Sequence, residues 1–155
     1  MMNDVLKIVL PSCLTLIGGV TLLVIGQVIT RFIVDPLLDF RRLLGKIAYT
    51  LILYEKFLIN VPTTATTPQF SEAKEKCRVL ASRLFAVSAA VPFYEYLAAN
   101  ECVPPLDDVY AAGGHLIGLS NSTERTTPHE VNLHYQGIAK LLRIRIDNTL
   151  PKVNE

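Results

Sequence analysis

Residues capable of chemistry are few in this chain, and their spacing decides what each can do. The run His129-Glu130-Val131-Asn132-Leu133-His134 invites comparison with the zinc-protease helix HExxH. There, histidines at i and i+4 share one helix face and hold the metal while the glutamate acts as base. Here the histidines stand five residues apart. Five residues turn a helix by about 500°, which leaves the two rings about 140° apart and unable to share an ion. His134 is expected at the edge of a core, and His129 on the surface of a first turn.

The other candidates meet similar objections. Gly113-Gly114-His115-Leu116-Ile117-Gly118 departs from GxGxxG, and no strand pattern precedes it, so it forms no phosphate cradle. Cys13, Cys77 and Cys102 are odd in number and lack metal-ligand spacing. Cys77 falls on an apolar seam, where a small buried residue is the usual role. Asp107-Asp108 offers two carboxylates for acid/base work, but a position near a helix start suits the dipole instead. Neither a serine nucleophile elbow nor a P-loop is present. Catalysis needs converging polar groups, and none is evident. The expectation is a protein that is not an enzyme, with no cofactor, no metal and no small-molecule substrate.

Stepping from residues to elements, the 155-residue chain is half apolar and 19% charged, with a formal net charge of +1. That length suits one ordinary domain. The apolar content excludes disorder as the dominant state, and no basic excess exists to neutralise nucleic-acid phosphates. The charge is unevenly placed: residues 1–34 hold only Asp4, Lys7 and Arg31, and the other 26 charged residues fall in 35–155.

From Ile8 to Thr30 run 23 residues without a charge. As a helix they extend roughly 34 Å, against a hydrocarbon core of about 30 Å, so a membrane span is the leading reading. A cleaved signal peptide has a shorter apolar core followed by a small-residue cleavage site, and Arg31-Phe32-Ile33-Val34 offers none. Leu10-Pro11-Ser12-Cys13 resembles a lipoprotein box, yet most of the apolar core follows it rather than precedes it. A buried core helix is the remaining alternative, disfavoured because the run exceeds about 18 residues. Lys7 alone precedes the span, whereas Arg31, Arg41, Arg42 and Lys46 follow it. The N-terminus is therefore expected outside and the remainder in the cytoplasm, where the Asn121-Ser122-Thr123 sequon has no role.

At 100° per residue, Ser12, Thr15, Gly19, Gly26 and Thr30 fall within an arc of about 60°, with Gln27 beside it. Small residues let helices approach closely in lipid, and hydroxyls bond across. This face is read as one for self-association or for docking on another membrane protein, against the plainer reading that Gly and Thr are common in such helices.

The expected fold is all-α: one N-terminal transmembrane helix (residues 1–34) and a cytoplasmic bundle of about four to five helices (residues 35–155). Asp35-Pro36 reads as the start of a helix reaching about Ile59, with the seam Leu37, Phe40, Leu44, Ile47, Leu51, Tyr54 and Leu58. After a polar loop at 60–67, Thr67-Pro68 repeats the start. The seam Phe70, Ala73, Cys77, Leu80, Leu84, Val87 and Val91 follows, and Pro92 breaks that helix. Residues 93–99 make a short helix whose aromatics are either buried in the bundle or form a partner patch. A further helix covers about 106–120, where Gly113 and Ser120 suit close packing. The last begins at Thr127-Pro128 with Glu130 in capping-box position, burying Val131, Tyr135, Ile138 and Leu142.

Val91-Pro92-Phe93-Tyr94 and Leu116-Ile117-Gly118-Leu119-Ser120-Asn121 resemble segments of short, uncharacterised bacterial membrane proteins with one N-terminal helix and a helical cytoplasmic domain. The resemblance implies a bacterial origin and nothing about activity; with the span it makes the inner membrane the expected location. The function expected is a membrane-anchored interaction protein that scaffolds or regulates a membrane complex, as a homo-oligomer through the Gly19/Gly26 face. Arg41, Arg42 and Lys46 would then meet lipid headgroups. The alternative is a membrane-perturbing or pore-forming effector whose Ser12/Thr15/Gln27/Thr30 stripe faces water, gated by the cytoplasmic helices.

Overall fold

The computed structural model describes residues 2–60 and 67–145, with side chains from residue 13 onward. The elements are α1 (Met2–Ile29), a π-helical turn (Thr30–Val34), α2 (Asp35–Ile59), α3 (Pro68–Ala90), α4 (Tyr94–Ala99), α5 (Leu106–Ser120) and α6 (Pro128–Leu141). Among the described residues there is no strand. Residues 61–66 of the expected polar loop lie outside the described residues.

α2 begins at Asp35 with Pro36 in its first turn, as expected, but not as a capped, separate start: Val34 (φ −71°, ψ −46°) and Asp35 (φ −61°, ψ −50°) are both helical, and neither side chain caps. In an α-helix the Pro36 nitrogen would face the Phe32 carbonyl, where it has no hydrogen to give and its ring collides. The chain answers by widening one turn, so that the Asp35 N–H donates to the Thr30 carbonyl five residues back. α1 and α2 are thereby one continuous rod with a π-turn in it.

Thr67-Pro68 and Thr127-Pro128 behave as genuine starts. Both threonines are extended (ψ 144° and 152°) and accept the N–H of the third helical residue, Phe70 or Glu130. At α6 the box is complete, because the Glu130 carboxylate accepts the Thr127 N–H at 2.8 Å.

α2, α3, α5 and α6 form an antiparallel ring in which each packs against the next and α6 returns to α2. Its core includes Phe40, Ile47, Leu51, Leu58, Leu84, Val109, Leu116, Leu119, Tyr135 and Ile138, all essentially inaccessible. The expected seams are largely those buried; Leu43 and Thr50 join the α2 seam, while Leu37 and Leu44 are only half-buried. Leucine or isoleucine burial stabilises by about 1.5–3 kcal/mol each. Two polar ties fix the register. Tyr135 Oη donates to the Leu51 carbonyl at 3.0 Å, and Tyr94 Oη to the Pro104 carbonyl at 2.8 Å. Burial pushes both phenols up, Tyr94 to about 12.

α4 is the short corner linking α3 to α5 at the end of the bundle nearest α1. Its Tyr94 packs edge-on to Phe40, ring centroids 6.0 Å apart. Phe93, just before it, adopts a left-handed backbone (φ 53°, ψ 35°). That conformation costs a non-glycine residue roughly 1–2 kcal/mol.

Candidate functional site

Three regions bear on function: the face of α1, the basic stretch at the start of α2, and the seam between α5 and α6. From residue 13 on, every side chain of α1 is exposed within this chain. Among the described residues, nothing lies within 4 Å of where a Cβ would stand on Gly19 or Gly26. Thr30 Oγ1 donates to the Gly26 carbonyl at 2.9 Å and Thr21 Oγ1 to that of Ile17 at 2.8 Å. The Thr30 hydroxyl proton is thus used inside its own helix, and its lone pairs are what it offers to a neighbour. Thr15 lies on the same face; the side chain of Ser12 lies outside the described residues.

Arg41, Arg42 and Lys46 are exposed. Arg42 pairs with Asp39 one turn before it, Nη1 to Oδ1 3.1 Å, an exposed pair worth little in stability. With Leu43, Lys46, Arg83 and Val87 these two line a shallow cleft of about 320 Å³ between α2 and α3. Along the helix axis Arg41 and Arg42 stand about 10–12 Å beyond Val34, and Lys46 about 18 Å.

The α5–α6 seam holds a pair that spacing along the chain does not reveal. His115 and His134 meet with Nδ1 atoms 3.0 Å apart, rings edge to face. His134 lies against Gly118, where a Cβ would come within 2.6 Å of the ring; His115 lies likewise against Gly137, also at 2.6 Å. Each helix therefore contributes a histidine and, three residues later, the glycine that receives the other helix's histidine. The repeated His-x-x-Gly, at 115–118 and 134–137, was the available signal. At least one ring must be neutral for this hydrogen bond. Burial first, then the facing His115, hold His134 below its ordinary value, with Glu130 pulling the other way. Gly113 plays a related part, since a methyl there would overlap the Phe85 ring.

The residues first considered for chemistry have other occupations. His129 is exposed, and Glu130 is held by the cap; the Thr127 N–H keeps its carboxyl below the usual range. Asp107 and Asp108 sit in the first turn of α5. Cys77 is buried and its thiol is pushed up to about 12, so it stays protonated at neutral pH. Among the described residues no three His, Cys, Asp or Glu side chains gather as a metal site would need. Comparisons with protein families, with curated proteins and with solved structures gave no match.

Proposed function

We propose that this protein is a membrane-anchored interaction protein, in which α1 spans the bilayer and the α2–α6 bundle stands at the cytoplasmic face as the part that scaffolds or regulates a membrane complex. The supporting observation is the contrast in exposure along one rod. The helix from Cys13 to Ile59 is long and apolar enough to cross a membrane, and none of its most apolar stretch is buried inside the chain. A core helix of a soluble domain would be covered. Water around Leu14, Leu16, Ile17, Leu22 and Leu23 would cost about 25 cal/mol per Å² of apolar surface, and lipid removes that cost. The excess of Arg and Lys after the span favours a cytoplasmic bundle. The two short strings that resemble bacterial membrane proteins favour the bacterial inner membrane.

Self-association runs through the face bearing Thr15, Gly19, Gly26 and Thr30, where two backbones approach without side chains between them. Amine-reactive crosslinking in native membranes should give dimers or higher species, and Gly19→Leu with Gly26→Leu should abolish them. Unchanged crosslinking in the double variant removes self-association through this face. A pore is the less favoured reading, since no Asp, Glu, Lys, Arg or His lies between Ile8 and Thr30 to line a conducting path.

A further inference from the structure

The α3–α4 corner folds back beside the last turns of α1. Val28, Ile29, Phe32 and Pro36, with Arg31 among them, form one wall of a mostly apolar groove of about 400 Å³, and Ala90, Pro92 and Phe93 form the other. Phe93 is also a wall of a second groove, of about 530 Å³, shared with Tyr96, Leu106 and Tyr110. It is thus a ridge between two apolar hollows, 73% exposed, and Tyr96 beside it is 70% exposed. The bundle could have buried this ring or replaced it with glycine, which the left-handed backbone favours; instead a large aromatic is held outward at a strained position.

We propose that this corner is a second, bundle-borne membrane contact, in which Phe93 and Tyr96 enter the boundary between headgroups and acyl chains next to the span. The inference rests on α1 being the span. Its occupant follows from height alone: a ring that shares a groove with Val28 and Ile29 stands at the depth where those residues leave the hydrocarbon. Aromatic side chains favour that boundary, with the ring in the apolar layer and the tyrosine hydroxyl in the polar one. The contact is mainly apolar, because Arg31 is the one charged residue of the nine that line the groove and the exposed Glu95 carries the opposite charge. Held at two points, the bundle is fixed in tilt and rotation rather than free to swivel on α1.

The chain contains no tryptophan, so a single introduced indole reports its own surroundings. Full-length Phe93→Trp, reconstituted in phosphatidylcholine vesicles, should emit at shorter wavelength than Leu133→Trp, which sits far along the bundle. Lipid brominated near the headgroup should quench Phe93→Trp and not Leu133→Trp, and raised salt should change neither. Ile25→Trp, in the span, is quenched by deep bromines if the span is inserted. Quenching at 25 without quenching at 93 overturns the corner contact and leaves the span intact. Absence of quenching at 25 overturns the span and the corner together. A short-wavelength emission at 93 that bromine does not reach means protein covers the ring, which also overturns the contact. Tyr96→Trp provides the same readout if Phe93→Trp perturbs the helical circular dichroism.

Discussion

Leu22 and Leu51 occupy the same rod and are treated oppositely. Leu22, in α1, is 72% exposed; Leu51, in α2, is 0% exposed. Past the π-turn the chain supplies its own cover, because α3 and α6 pack on α2 and α5 closes the ring between them. Before it, none of the described residues returns to α1 above its last turns. The difference teaches that burial in this protein comes from two sources. Among the described residues the bundle covers its own seam and α1 is left uncovered; the proposed span would give α1 its cover in lipid.

The sharpest way to break that comparison is to truncate both leucines. Leu51→Ala should destabilise the bundle by about 2–5 kcal/mol, the cost of a core cavity. Leu22→Ala should leave bundle unfolding unchanged. Denaturant titrations in detergent followed by circular dichroism check both, and equal losses would show that α1 packs on the bundle.

A smaller effect compares two glycines. Gly137→Ala places a methyl against the His115 ring and should cost about 1–3 kcal/mol, as overpacking does. Gly19→Ala meets no atom of this chain within 4 Å and should leave the bundle's thermal midpoint where it was.

Smallest is the pH response of the histidine pair. His134 titrates lower in the folded bundle than its ordinary 6.5, so below about that pH the unfolded chain takes up a proton that the folded one resists. Stability is therefore complete above pH 6.5 and falls as the pH drops toward the folded value. The groups facing His134 are His115, which lowers it, and Glu130, which raises it. Thermal melts at pH 7.5 and 5.5 should show the loss, and His134→Gln should flatten it.

Much of the bundle was legible because its signals are local. Thr67 and Thr127 each precede a proline and a hydroxyl-capped turn, and the three-and-four spacing of Phe70, Ala73, Cys77, Leu80 and Leu84 marks the buried face without knowledge of its partner. The same local logic placed the boundary of α2 at Asp35-Pro36 but not its nature, a π-turn in place of a capped start. A proline suits the first turn of a new helix or a widened turn inside a continuing one, and which of the two occurs depends on whether the preceding residues stay helical. The His115–His134 pair escaped for the opposite reason: its members are 19 residues apart and meet only because α5 and α6 pack at their glycines. The string Phe93-Tyr94-Glu95-Tyr96 favours burial of its aromatics over an outward patch, and tertiary packing buries only Tyr94 while Phe93 and Tyr96 stay exposed.

The central claim is that lipid covers α1, and alkaline carbonate extraction of membranes from cells making the full chain tests it directly. Peripheral proteins are released by this treatment and spanning ones are retained. With α1 inserted, the chain should remain wholly with the membrane pellet. Recovery in the supernatant would contradict it, because an uncovered α1 cannot then be a span.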